Sequence, residues 1–97
     1  MQDFLGRTAV IPGGASGIGL GMARSFAGRG MQLVLADLDE DLLKAAEKEF
    51  LAAGTAVVCQ GCDVSKLEDV ERLAEVTMDR FGAVHVVCSN AGVGIPT

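Results

Sequence analysis

Short apolar runs alternate with amphipathic segments along the chain. Thr8–Ile11 has no strongly polar interruption and stops at a proline, as expected for a strand that is buried on both faces. The next segment, Gly17–Arg29, has helical spacing instead. Its apolar side chains recur every four residues, at Ile18, Met22 and Phe26. The chain therefore opens with a predicted strand followed by a predicted helix.

The same alternation continues through the middle of the chain. Gln32–Ala36 is a second apolar run, and a helix is expected to begin after Asp39, a good N-capping residue, and to end at Gly54. The inward face of this helix carries Leu43, Ala46 and Phe50. Thr55–Val58 then begins a third predicted strand.

A third helix and a fourth strand complete the pattern. Ser65–Glu68 has the sequence of a capping box, which predicts a helix start, and Gly82 predicts the end of that helix. One face of the helix carries Val70, Leu73, Thr77 and Phe81. Val84–Cys88 is the fourth predicted strand, and residues 89–92 form the turn after it. Strands that alternate with helices predict an α/β protein with an open, doubly wound parallel sheet.

Composition excludes several functions for this sheet. The chain has 97 residues and a net charge of −5, so it allows one small domain and disfavours nucleic acid as a partner. It has neither an apolar stretch long enough for a membrane span nor the pattern of a signal peptide, so we expect a cytoplasmic protein. Three cysteines are a poor disulfide framework.

A glycine-rich turn, Pro12–Gly19, follows the first predicted strand and opens the first helix. Glycines let the backbone approach a bulky anion, and the N–H groups and dipole of the helix favour phosphate oxygens. Leu20 stands where a triphosphate-binding loop needs lysine, which disfavours nucleoside triphosphate hydrolysis. The turn predicts a phosphate site, with tight helix packing as the other explanation of its glycines.

Asp37 ends the second predicted strand, close to the ~20-residue offset from the glycine turn at which an acidic residue accepts a ribose 2′-hydroxyl. The alternative is a surface or capping aspartate, although Asp39 is available as the cap. A carboxylate here would repel a 2′-phosphate by about 4 kcal/mol per unit charge at ~4 Å and an effective dielectric of ~20. We therefore expect NAD(H) to be preferred over NADP(H).

Asp63 and Val64 follow the third predicted strand. A carboxylate in this turn can accept a hydrogen bond from an adenine amino group, and Val64 offers its backbone N–H and C=O. An aspartate beside a helix start explains Asp63 equally well when it is considered alone.

Together these motifs resemble the short-chain dehydrogenase/reductases. The resemblance spans about residues 4–92 and is carried by Gly13-x-x-x-Gly17-x-Gly19, Asp37, Asp63-Val64 and Asn90-Ala91-Gly92, each motif after one predicted strand. It implies a nicotinamide cofactor and a Rossmann-type sheet with strand order 3-2-1-4. Residues 1–97 would form a single, partial domain that is truncated after the fourth strand.

The resemblance also assigns positions to the cofactor. It implies that the pyrophosphate and nicotinamide side is lined by Gly13, Ser16, Gly17, Ile18 and Gly19. It implies that the adenosine ribose is held by Asp37, that the adenine is contacted by Asp63 and Val64, and that the cofactor and central strands are flanked by Asn90, Ala91 and Gly92.

Two departures from this family bear most on the expected function. Pro12 stands where the family usually has threonine, and proline lacks the hydroxyl and N–H that tie this loop to the turn after the fourth strand. The family's catalytic Tyr-x-x-x-Lys pair lies beyond the fourth strand, and this chain has no tyrosine. We therefore expect this chain to be the cofactor-binding part of an oxidoreductase and to be inactive alone. The full-length parent would transfer hydride between nicotinamide and an alcohol or carbonyl.

Two other function classes fit part of the pattern. One is a non-catalytic dinucleotide-binding module or truncated remnant, which could self-associate through the uncovered edge of the fourth strand. The other is a methyltransferase-like domain, because S-adenosylmethionine sites also use a glycine turn and an acidic residue after the second strand. The Asn90–Gly92 turn favours the dehydrogenase interpretation.

The remaining chemistry-bearing residues are interpreted as structural. Cys59 and Cys62 would point to opposite faces of an extended strand, about 10 Å apart, too far for a disulfide. Zinc would need further ligands with suitable spacing. The single histidine, His85, lies at the start of the fourth predicted strand, away from the carboxyl-end turns.

Overall fold

The computed structural model describes residues 6–15, 17–89 and 92–94. Its elements, in chain order, are β1 (Thr8–Pro12), α1 (Gly17–Ala27), β2 (Gln32–Asp37), α2 (Glu40–Ala52), β3 (Val57–Gly61), α3 (Leu67–Phe81), β4 (Val86–Ser89) and β5 (Gly92–Gly94). The predicted alternation of strands and helices is confirmed as far as β4. The short β5 is an addition that the sequence pattern did not predict.

One sheet joins these strands in the order β3-β2-β1-β4-β5. Strands β1 to β4 pair with one another in parallel, whereas β5 runs antiparallel to β4. The prediction of an open β4 edge and of a turn extending to residue 92 was wrong, because Ser89 pairs with Gly92 and Val87 pairs with Gly94. The unpaired N–H and C=O groups of an edge strand are satisfied here by the segment that follows it.

Helices cover both faces of the sheet. On one face, α1 and α2 pack over alternate strand residues, including Ala9, Ile11, Leu33 and Leu35. On the other face, Leu73 of α3 packs with the intervening strand residues, including Val10, Val34 and Ala36. Each central strand therefore buries both of its faces, which explains why β1 and β2 appear in the sequence as continuous apolar runs.

The predicted inward face is confirmed for α2, whereas in α3 Val70 of the predicted face is 40% exposed. Leu43, Ala46 and Phe50 of α2 are buried, as predicted. In α1, whose helical spacing is confirmed, Ile18 is 74% exposed while Gly19 and Ala23 are buried. Small residues on the inner face allow the first turn of α1 to lie close against the glycine turn.

Helix ends follow local side-chain chemistry. Asp39 caps α2 as predicted, because its Oδ1 accepts from the N–H groups of Asp41 at 3.0 Å and Leu42 at 3.1 Å. The capping box predicted at Ser65 was wrong. The Ser65 hydroxyl instead donates to Asp63 Oδ1 at 2.6 Å, and α3 begins after Lys66. A local side-chain turn competes here with the helix cap.

His85 connects the beginnings of β1 and β4. Its Nδ1 accepts from the Thr8 N–H at 2.9 Å, and its own N–H donates to the Thr8 carbonyl at 3.0 Å. This two-way contact supports the structural role expected for the histidine and places it at the amino end of the sheet.

Candidate functional site

Hydrogen bonds join the turns at the carboxyl ends of β1, β2 and β3. The N–H groups of Gly13 and Gly14 donate to the Ala36 carbonyl of β2 at 2.6 and 3.2 Å. The Cys62 N–H, just after β3, donates to the Asp37 carbonyl at 3.1 Å. The carboxyl edge of the sheet is therefore a connected surface, at the position where open α/β sheets bind ligands.

The glycine turn needs its glycines for conformation and for space. Gly13 and Gly17 have φ angles of 71° and 55°, in the left-handed region that glycine adopts without a steric penalty. A Cβ on Gly19 would overlap the Gly13 carbonyl oxygen and lie 2.8 Å from the Gly13 carbonyl carbon. The first turn of α1 consequently rests on the backbone of the loop, and its N–H groups lie beside the turn.

Asp37 lies half-buried at the end of β2 and holds two neighbouring turns with its side chain. Its Oδ2 accepts from the Ala15 N–H at 3.3 Å, and its Oδ1 accepts from the Asp39 N–H at 3.2 Å. The carboxylate therefore lies between the glycine turn and the start of α2.

Asp63 and Val64 form the turn after β3. Asp63 Oδ1 accepts from the hydroxyl and the N–H of Ser65, and these hydrogen bonds lower the pKa of the Asp63 carboxyl below its ordinary value. Val64 is 61% exposed. The turn thus presents an ionised carboxylate and an apolar side chain on the same surface.

A cleft of about 740 Å³ separates the turns after β2 and β3. It is lined by Leu38, Asp39, Glu40, Asp41, Gly61, Cys62, Asp63 and Asp69. Asp69 was not predicted as a site residue; its Oδ2 accepts from the Asp63 N–H at 2.9 Å. In the sequence it is one of several acidic residues in the first turn of a helix, and nothing there distinguishes it from residues that favour the helix dipole.

The structure brings most of the predicted site residues to this edge. Those that it describes are Gly13, Gly17, Ile18, Gly19, Asp37, Asp63 and Val64, together with the backbone of Gly92 beside the end of β4. Ser16, Asn90 and Ala91 lie outside the described residues. Ile18 is exposed at the start of α1, so its side chain is accessible to a ligand bound at the glycine turn.

The two neighbouring cysteines do not form a redox pair. Cys59 packs with the α1–α2 side of the core, whereas Cys62 is buried on the α3 side. Both are free thiols, and burial raises the pKa of each. Among residues 6–15, 17–89 and 92–94, no group of three or more histidine, cysteine or acidic side chains is placed to hold a metal ion.

Cys59 is expected to resist alkylation in the folded protein. Burial, aided by the charge of Glu47, raises its pKa from 9.0 to about 11. Because the thiolate is the reactive form, alkylation by iodoacetamide at pH 8 should be about 100-fold slower than for an unperturbed thiol. Peptide-resolved mass spectrometry of native and urea-unfolded samples measures this ratio, and equal rates in the two samples would contradict it.

The same pKa shift predicts a loss of stability in alkali. Above pH ~9 the unfolded chain ionises this thiol while the folded chain keeps it protonated until about pH 11. The free energy of unfolding should therefore fall as the pH rises through this interval.

Comparisons with known proteins agree with this geometry. The family model for short chain dehydrogenases matches residues 7–97. The chain belongs to the short-chain dehydrogenase family. It is 45% identical over 87 residues to 1-deoxy-11-beta-hydroxypentalenate dehydrogenase from Streptomyces exfoliatus, covering 90% of this chain and 32% of that protein. It is 40% identical over 93 residues to a diacetyl reductase from Staphylococcus epidermidis, covering 96% of this chain and 36% of that one.

Solved structures of family members share the fold. A short-chain dehydrogenase/reductase from Burkholderia phymatum, determined in complex with NAD, superposes with a TM-score of 0.87 and 41% identity over 90% of this chain and 31% of that one. A putative short-chain dehydrogenase from Novosphingobium aromaticivorans gives a TM-score of 0.85 at 33% identity, over 91% of this chain and 32% of that one. The α/β, Rossmann-type class is therefore confirmed. The chain spans about a third of the length of the curated relatives that it matches.

No helix in the part of the chain that the structure describes is both long and apolar enough to cross a membrane.

Proposed function

We propose that this chain binds NAD(H) along the carboxyl ends of β1, β2 and β3. The observation that carries the proposal is the half-buried Asp37 carboxylate, which contacts the glycine turn at the position where the family resemblance places the adenosine ribose. The NAD complex of the Burkholderia phymatum relative, at 41% identity, supports the same class of ligand.

The residues present fit a dinucleotide. A Cβ on Gly19 would clash with the backbone of Gly13, and a Cβ on Gly14 would clash with the Ile11 carbonyl oxygen of β1 and with the Leu35 side chain, so the loop packs closely against both α1 and the sheet. The N-terminal N–H groups of α1 and its dipole suit a pyrophosphate, which is the most highly charged part of the cofactor. The proposed pyrophosphate and nicotinamide contacts are Gly13, Ser16, Gly17, Ile18 and Gly19.

The adenosine half would lie over the turns after β2 and β3. Asp37 would accept from the ribose hydroxyls, and the ionised Asp63 would accept from the adenine amino group beside the exposed Val64. The remaining proposed contacts, Asn90, Ala91 and Gly92, follow β4. When bound, the nicotinamide would supply hydride chemistry, and the residues named here would bind and orient it.

NAD(H) should bind more tightly than NADP(H). A 2′-phosphate on the ribose would face Asp37. It would also face the cleft, whose lining includes the carboxylates of Asp39 and Asp63. Each close pair of charges costs between about 1 and about 4 kcal/mol, depending on the effective dielectric. We therefore expect at least about a tenfold lower dissociation constant for NADH than for NADPH, which corresponds to ~1.4 kcal/mol.

Titration followed by NADH fluorescence tests this preference, because the chain has neither tryptophan nor tyrosine to add protein background. Asp37→Ser, which removes the charge, should narrow the difference between NADH and NADPH. Asp79→Asn removes an equal charge from an exposed site on α3 and should leave the ratio unchanged. Tighter binding of NADPH by the unmodified chain would refute the preference. A calorimetric signal with S-adenosylmethionine, without one for NADH, would favour the methyltransferase interpretation instead.

We also propose that the family's hydride transfer between nicotinamide and an alcohol or carbonyl requires groups beyond these 97 residues. The resemblance assigns the proton transfer to a tyrosine, and this chain contains none. The expected compartment is the cytoplasm. Binding without turnover of NADH and a carbonyl compound would agree with this division, whereas turnover by the chain alone would contradict it.

A further inference from the structure

Asp37 makes hydrogen bonds within the three turns that follow β1, β2 and β3. Its side chain accepts from Ala15 in the glycine turn and from Asp39 before α2, while its main-chain oxygen accepts from Cys62 after β3. The link to Cys62 is a main-chain bond that any residue would make. The two side-chain bonds depend on the identity of Asp37.

We propose that Asp37 is a positioning residue for the glycine turn, in addition to being the proposed ribose contact. The start of the turn is already fixed, because the N–H groups of Gly13 and Gly14 donate to the Ala36 carbonyl. Ala15 is the next residue, and its N–H donates to Asp37 Oδ2 at 3.3 Å. The carboxylate therefore extends the anchored part of the loop by one residue towards the start of α1, before any ligand binds.

Anchoring and ligand binding can use the same carboxylate. An ionised carboxylate offers about four acceptor positions, and the hydrogen bonds described here fill two of them. Ribose hydroxyls can occupy the others without releasing Ala15. A loop that is ordered before binding loses less conformational entropy when it binds, so the anchor should increase cofactor affinity as well as order the free protein. This last step rests on the proposed function, whereas the anchor itself does not.

Residue-resolved amide hydrogen exchange of the ligand-free chain tests the anchor. In Asp37→Ala, exchange at the Ala15 N–H should accelerate about fivefold or more relative to Gly13, whose N–H bond to Ala36 is retained. Asp37→Asn keeps one acceptor oxygen and loses the charge, so it should restore much of the protection. Asp79→Asn should have no effect on the ratio. Using Gly13 as the internal reference separates local loosening of the loop from a general loss of stability.

Two results would overturn the positioning role. One is an Ala15-to-Gly13 exchange ratio in Asp37→Ala that stays within about twofold of the unmodified protein. The other is equal acceleration in Asp37→Ala and Asp37→Asn, which would assign the effect to charge alone. If the unmodified chain fails to bind NADH, the proposed function fails, yet the exchange ratio still decides whether Asp37 anchors the loop.

The contribution of the anchor to cofactor binding is tested by comparing the NADH affinities of the two uncharged variants. Asp37→Asn should bind NADH several-fold more tightly than Asp37→Ala, and the difference should follow the exchange ratio. Equal affinities, together with unequal exchange, would show that the anchor orders the loop without contributing to binding.

Discussion

Replacing Gly19 with alanine is expected to weaken NADH binding at least about tenfold and to destabilise the fold by ~1–3 kcal/mol. The added Cβ would overlap the Gly13 carbonyl oxygen and lie 3.1 Å from the Cα of Gly14. These are backbone atoms of the proposed pyrophosphate loop, so relief requires α1 and the loop to separate. Urea unfolding followed by circular dichroism gives the stability, and NADH fluorescence gives the affinity.

Gly21 provides a matched control in the same helix. No heavy atom lies within 4 Å of the Cβ that alanine would add there. Gly21→Ala should therefore leave binding unchanged and stabilise α1 by up to ~1 kcal/mol through helix propensity. If Gly19→Ala behaved as Gly21→Ala does, the close packing of the helix start on the loop would not be needed for either stability or binding.

The elements that could be predicted are those fixed by neighbouring residues in the chain. Apolar runs buried on both faces gave β1 and β2, and the short-range chemistry of Asp39 and Gly82 gave two helix ends. Ile18 shows the limit of predicting a buried face from residue spacing. It shares helical spacing with Met22 and Phe26, which pack against the core, yet it is 74% exposed, while Gly19 and Ala23 are buried. Which face of α1 packs inward depends on how closely the loop approaches, and spacing does not encode that distance.

The candidate site divides in the same way. Gly13, Asp37 and Asp63 could be proposed from sequence because each follows an apolar run in a fixed order along the chain. The contacts of Asp37 with Ala15 and of Asp69 with Asp63 could not, since they arise only when separate turns meet at the sheet edge. Nor could β5 be predicted, because its three residues, Gly92–Gly94, gain their strand conformation from pairing with β4.

Core packing beneath the glycine turn should contribute to both stability and binding, and Leu35→Ala tests it. Leu35 is completely buried in β2, and its Cδ2 lies 2.9 Å from the position that a Cβ on Gly14 would occupy. Truncation removes apolar packing and leaves a cavity, which costs ~2–5 kcal/mol in protein cores. Against a total stability of ~5–15 kcal/mol for a typical domain, this is a large fraction.

The position of Leu35 predicts a second effect that simple destabilisation would not produce. If a substitution only destabilises the fold, the apparent affinity of the variant equals the intrinsic affinity multiplied by its folded fraction. Because Leu35 lies directly under the glycine turn, the NADH affinity of Leu35→Ala should fall by more than its lower folded fraction explains. Leu38→Ala, which truncates a leucine that is 72% exposed just after β2, should cost little stability. If NADH affinity in Leu35→Ala followed the folded fraction alone, the core would support the fold without shaping the loop.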